Sequence, residues 1–264
     1  MSDDPRRQLP SVERLLQEPS ISRLLDSTPR TIVVAAAREA VAMARKGRGL
    51  VPADWSAEVA ERARRIARRS LQPVLNATGV VLHTNLGRAP LSQAALDAVA
   101  AVAGAYSALE FDLEAGVRGS RTDHARRLLA ELTGAEDALV VNNAASALIL
   151  ALNTVAEGME VVISRGELVE IGGSFRIPDI MAKSGARLRE VGTTNRTHLE
   201  DYRRALGPST GAILKVHQSN FEQSGFVHAP SAAELAALAH EHRLPLLHDI
   251  GSGLVADLSA FGLT

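Results

Sequence analysis

Two turns in the sequence gather small and polar residues in patterns that could hold a charged ligand. In VVNNAASAL, residues 140–148, an apolar run passes through a polar turn into a helix starting near Ala145. The free N–H groups and positive dipole end of a helix N terminus attract an anion, and small side chains let a phosphate approach the backbone. Asn143, Ala144, Ala145 and Ser146 would form such a phosphate turn, with the Ser146 hydroxyl as an added donor. The same residues serve equally as an ordinary N-cap made by Asn142 or Asn143. Neither GxGxxG nor a Walker lysine motif occurs, which argues against dinucleotide and nucleoside triphosphate binding.

The second turn is LLHDIGSGL, residues 246–254, which sets Asp249 at the end of a strongly apolar strand and follows it with small residues. A carboxylate entering the interior is costly unless paired. A protonated pyridine nitrogen, as in pyridoxal 5'-phosphate, is one cationic partner that fits, because an Asp there strengthens the ring as an electron sink. A helix cap or a metal-ligating carboxylate is the plainer alternative, and His248 reads as a hydrogen-bonded core residue.

These residues need elements to position them. From residue 138 onward, strand-like and helical patterns alternate: strands at 138–143, 160–165, 187–192, 211–217 and 245–251, helices at 145–156, 173–183, 198–206 and 231–242. Such alternation predicts an α/β fold with a mostly parallel sheet between helices, in which ligands bind beyond the carboxyl ends of the strands. Asn142 to Ser146, Arg165 to Glu170, Gly192 to Asn195, His217 to Asn220 and His248 to Ser252 all fall there. Helices at 92–105 and 123–133 flank a glycine-containing loop at 114–123, and NATGVVLHTNLGRAPLS at 76–92 reads as an extended functional loop. Residues 1–72 read as a small helical module broken at Pro19, Pro29 and KGRGLVP (46–52) and closed by Pro73, with Trp55 in its core.

Composition narrows the classes of function. The 264 residues contain no cysteine, which removes disulfides, thiolate metal sites and cysteine nucleophiles. The N terminus has no apolar signal core and no long apolar run follows, so a cytoplasmic address without membrane contact is expected. The net charge of -1 hides an asymmetry: residues 1–72 hold 14 Lys+Arg against 9 Asp+Glu, a net of +5, leaving 15 against 21, a net of -6, for the remainder. A basic helical segment beside an acidic domain suits contact with a polyanion, although Arg-rich helices are also common solvated surface.

LNATGVVLHTNLGRAPLS (75–92), RGSR (118–121), NNAASALILAL (142–152), SRGELVEIGGSFRIPDIM (164–181), EVGTTNRT (190–197), ILKVHQSNF (213–221) and HDIGSG (248–253) together closely resemble the bacterial L-seryl-tRNA(Sec) selenium transferases, or selenocysteine synthases. The resemblance implies a fold-type I pyridoxal-phosphate enzyme: a large domain over 73–264, preceded by a tRNA-contacting helical domain over 1–72. It also implies conversion of seryl-tRNA(Sec) to selenocysteinyl-tRNA(Sec) with selenophosphate, by elimination of water and addition of selenium, in a homo-oligomer that is decameric in the family. Asp249 then becomes the pyridinium partner, Asn143 to Ser146 the phosphate turn, and Arg88 and Arg121 a substrate-anion site or surface ion-pair residues. Glu170, His217 and Ser252 stand at the cofactor edge, as cofactor contacts or structural hydrogen-bonders.

The resemblance also implies a Schiff-base lysine after the pyridinium-binding Asp. The three lysines are Lys46, Lys183 and Lys215, and all precede Asp249. The expectation is therefore a chain that stops short of that lysine and of the small C-terminal domain, with Lys215 as a weaker, unconventional anchor. Two alternatives follow: a related lyase or aldolase acting on a small amino or sugar acid, and a lysine-free, non-catalytic tRNA-binding fragment.

Overall fold

In the computed structural model, which describes residues 9–46, 51–172, 175–254 and 259, apolar spacing in the N-terminal region produces four helices. They are α1 (Val12–Gln17), α2 (Pro19–Leu24), α3 (Arg30–Arg45) and α4 (Trp55–Ala67). Pro19 occupies the first turn of α2, where its missing N–H is no loss. Asp54 caps α4 by accepting from the Ser56 and Ala57 N–H groups at 2.8 and 3.1 Å. Ala36, Ala37 and Ala40 give α3 a narrow face, against which Val59 and Ala63 of α4 are buried with Ile21 and Val33. Trp55 packs on the margin of this cluster rather than at its centre. The last of these helices ends at Ala67, where the apolar stripe runs out, and Leu71 beyond it is exposed. Of the 46–52 break, residues 47–50 lie outside the described residues.

Contacts divide the chain into two units, Met1–Gly104 and Ala105–Thr264. After α4 the first unit runs through irregular, exposed backbone to α5 (Gln93–Ala103), capped by Ser92.

The second unit opens with a short antiparallel hairpin, β1 (Phe111–Asp112) and β2 (Val117–Arg118); β2 falls in the loop expected at 114–123 and β1 just before it. Then come α6 (Asp123–Thr133), α7 (Ala144–Ala156), β3 (Glu160–Ser164), the hairpin β4 (Glu170–Ile171) and β5 (Phe175–Arg176), and α8 (Ile177–Ser184). The remaining elements are β6 (Arg187–Val191), α9 (Leu199–Ala205), β7 (Thr210–Val216), α10 (Ala232–Glu241) and β8 (Leu246–Asp249). Two expectations are corrected here. The helix assigned to 173–183 begins only at Ile177, since β5 precedes it, and residues 173–174 lie outside the described residues. The strand assigned to 138–143 does not form: among the described residues no neighbour offers it a ladder, and Leu139 and Val140 are 58% and 62% exposed.

The sheet has the order β6-β3-β7-β8, all parallel. Its side chains alternate between two buried faces. Val161, Ile163, Ala212, Leu214 and Val216 pack under α7 and α8, while Val162 and Ile213 pack under α9 and α10. Helices on both faces exclude water from the ladder, which explains the near-continuous apolar runs. The chain moves from β3 outward to β6 and then returns to β7 on the other side of β3. The strand order thus reverses between β3 and β7, which makes their carboxyl ends the topological switch point.

Candidate functional site

The carboxyl edge of β7 and β8 is built first by register. Lys215 lies opposite His248, and Val216 opposite Asp249. Paired residues in a sheet share a face, so Asp249 points to the side of Val216 and α7, whereas Lys215 points to the side of α9 and α10. The His217 N–H donates to the Asp249 carbonyl at 2.9 Å, joining the two strand ends. Asp249 is half-buried, and its Oδ1 accepts the Gly251 N–H at 2.9 Å. Its Oδ2 has no hydrogen-bond partner among the described residues. Gly251 has φ +63, and a Cβ there would meet the Ser219 hydroxyl at 2.4 Å, so the turn after Asp249 fits tightly against the loop after β7.

The second part of the site is the start of α7. This helix has 13 residues, about 20 Å at 1.5 Å each, and runs back along the strands. Its last turn sits over the start of β7, where Gly211 admits Ala156, so its first turn reaches the carboxyl edge on Asp249's face. Asn143 caps it, with Oδ1 accepting the Ser146 N–H at 2.9 Å. The N–H groups of Ala144 and Ala145 point out of the helix with no protein acceptor among the described residues. The Asn143 cap and an anion-receiving turn therefore coexist, because capping engages only one of the free donors.

The other candidate residues separate. His217 is exposed and shares a hydrogen bond between Nδ1 and the Ser219 hydroxyl at 3.1 Å. Ser252 is exposed beyond Gly251. Glu170 lies in β4, where its carboxylate accepts from Arg176 Nε at 2.6 Å and raises the pKa of that guanidinium. Arg121 is bound to Glu110, which also takes Arg118 at 3.1 Å. Arg88 belongs to the first unit, with φ 64 and no side-chain partner among the described residues. Among the described residues no three His, Asp or Glu side chains group as metal ligands.

Glu167 does not stand out in the sequence, yet it is 4% exposed in the 3-10 turn Arg165–Glu167 that follows β3. Its Oε1 accepts Lys215 Nζ at 3.1 Å and its Oε2 accepts the Val216 N–H at 3.0 Å. Lys215 also donates to the Pro230 carbonyl at 2.9 Å. This lysine is therefore held by two acceptors, on the face away from Asp249. A crevice of about 560 Å³ opens at the switch point on that side, with Glu167, Lys215, His217, Phe221, His228 and His248 among its walls.

The family model described as L-seryl-tRNA selenium transferase matches residues 74–264, and the one described as selenocysteine synthase N terminal matches residues 6–45. An L-seryl-tRNA(Sec) selenium transferase of Methylocella silvestris is 53% identical over 97% of this chain and 56% of its own length. The protein of the same name from Geobacter sulfurreducens is 52% identical over 97% of this chain and 57% of its own length. The chain thus spans little more than half the length of these relatives. Among solved structures, D-glucosaminate-6-phosphate ammonia-lyase superposes with a TM-score of 0.54 at 23% identity, covering 68% of this chain and 49% of that one, a likeness of fold.

Proposed function

The chain belongs to the L-seryl-tRNA selenium transferase family, and from that premise we propose that it serves the conversion of seryl-tRNA(Sec) to selenocysteinyl-tRNA(Sec), with selenophosphate as donor and pyridoxal 5'-phosphate as cofactor. The observation that carries the reading is the pairing, on one face of the sheet, of a half-buried carboxylate with an open oxygen and a helix start with open N–H groups. These are a cation site and an anion site at the same strand edge, the two contacts that a pyridinium nitrogen and a phosphate require.

In this reading Asp249 holds a proton on the ring nitrogen, and the Ala144 and Ala145 N–H groups with the Ser146 hydroxyl hold the phosphate. When bound, the cofactor supplies an electron sink for a carbanion at the serine Cα. Arg88 carries a guanidinium with no ion pair among the described residues, suited to a phosphate-type oxyanion, whereas Arg121 must leave Glu110 to do the same. His217 and Ser252 flank the Asp249 turn as polar contacts, and Glu170 acts through the β4–β5 hairpin.

The helical region 1–72 is the proposed tRNA contact. Arg62 pairs with Glu39 and Glu58 and Arg65 with Glu39, while Arg68 and Arg69 remain exposed without ion pairs among the described residues. A cytoplasmic homo-oligomer, decameric as the family resemblance implies, completes the proposal; no helix among the described residues is long and apolar enough to cross a membrane.

Equilibrium dialysis of the chain against pyridoxal 5'-phosphate tests the reading. The expected result is saturable binding, weakened about tenfold or more by Asp249→Ala, together with salt-dependent retention of seryl-tRNA(Sec). Absence of cofactor binding, or equal binding by Asp249→Ala, refutes it.

A further inference from the structure

We propose that Glu167 is a positioning residue for the Asp249 carboxylate, acting through Lys215 and the end of β7. The proposal rests on the reading of Asp249 as a cofactor contact.

The argument starts from burial. A carboxylate that is 4% exposed must be paired and hydrogen-bonded, and Glu167 uses both oxygens for this, on adjacent residues of another strand. Lys215 is 18% exposed at its side chain, so the pair is largely withdrawn from water and its geometry is weakly screened. One ion pair thereby ties three segments: the turn after β3, the last two residues of β7, and Pro230, where the chain returns from its loop to α10.

Two further bonds extend the tie along the same seam. Gln218 Nε2 donates to the Gly166 carbonyl at 2.9 Å, and Asn220 Nδ2 to the Glu170 carbonyl at 3.0 Å. The segment His217–Asn220 is thus fastened on one side to residues 166–170. On its other side it meets Gly251 at Ser219, and the His217 N–H holds the Asp249 carbonyl. Glu167 is the one charged, buried member of this seam among the described residues.

The consequence is mechanical. Val216 accepts its position from Glu167 through its N–H, and Val216 is the register partner of Asp249. A displaced β7 end would carry the His217 N–H away from the Asp249 carbonyl and re-aim the open carboxylate oxygen. Lys215, excluded from Asp249's face, acquires a role here as the counter-ion that holds the Glu167 carboxylate in place.

Three variants of the full chain test the proposal: Glu167→Asp, which keeps the charge but is a methylene too short to reach both partners; Glu167→Gln, which keeps the length but not the charge; and the neutral pair Glu167→Gln with Lys215→Met. Two readouts apply, the dissociation constant for pyridoxal 5'-phosphate and the amide exchange rate of His217, with the melting temperature followed in parallel. All three variants should weaken cofactor binding by about tenfold and speed His217 exchange by a similar factor, while Val162 exchange in the centre of β3 stays within about twofold of the parent. In the neutral pair the melting temperature should return toward the parent value while cofactor affinity does not. The proposal is overturned if affinity recovers with melting temperature, since the role is then only structural, or if His217 exchange is unchanged in Glu167→Asp. Loss of affinity in Asp249→Ala but not in the Glu167 variants removes the positioning role and leaves the cofactor reading standing. Failure of the parent chain to bind the cofactor removes both.

Discussion

At the scale of single residues, burial separates groups that sequence alone treats alike. Tyr202 of α9 is fully buried, and its hydroxyl has no hydrogen-bond partner among the described residues. Burial, followed by the charge of Glu167, pushes the phenol well above its usual range, so it stays neutral at any accessible pH. A buried hydroxyl with no partner forfeits its desolvation cost, and removing it recovers that cost. Tyr202→Phe should therefore leave stability unchanged or raise it by up to about 1 kcal/mol, read from the urea unfolding midpoint; a loss of similar size would show that the hydroxyl is bonded in solution. The pairing of Glu167 was not legible for a related reason. In SRGELVE it looks like any solvated glutamate, and the lysine that neutralises it is 48 positions away in a strand. Asp249 was legible because local sequence alone shows it leaving an apolar run.

At the scale of elements, periodicity located α6, α7, α9, α10 and the four strands of the sheet, since each repeats its apolar positions over enough residues to be read. The hairpins β1–β2 and β4–β5 have strands of two residues, too short for any period to register. ALVV at 138–141 failed in the opposite sense: it has the composition of a buried strand, but a strand exists only where a neighbour completes its hydrogen bonds. Gly211 shows how one element places another. A Cβ at this position would stand 2.9 Å from the Cβ atoms of Ala156 and Met159, so the bare backbone of β7 is what lets the end of α7 lie on the sheet. Gly211→Val should push α7 outward and cost about 1 to 3 kcal/mol by overpacking. Because α7 is rigid along its length, the displacement should also reach Ala144 and weaken phosphate-dependent cofactor retention. Chemical denaturation and dialysis together check both halves; wild-type stability would mean that the helix and strand are more loosely packed than their contacts indicate.

At the scale of the whole chain, burial is unevenly distributed. The sheet of the second unit and the helices of the first each enclose a core, but along residues 71–106 many apolar side chains are exposed, among them Leu71, Leu75, Val81, Val99, Val102 and Tyr106. All 11 residues of α5 remain at least partly exposed, although nine of them are Ala, Val or Leu. Polar-rich surface helices need no cover, whereas a helix this apolar is unfavourable in water unless something packs on it. Sequence could show the composition of this stretch but not its exposure, because an apolar helix reads the same whether its cover comes from its own chain or from a second copy. The proposed homo-oligomer would supply that cover. Sedimentation velocity should accordingly find the chain in assemblies rather than as a single copy, and Val99→Glu with Val102→Glu, one turn apart on α5, should shift the distribution toward smaller species. A wild-type chain that sediments as a monomer and binds no apolar-surface dye would contradict the assembly. It would leave the pairing of Asp249 with the start of α7 untouched, because that arrangement lies within the second unit.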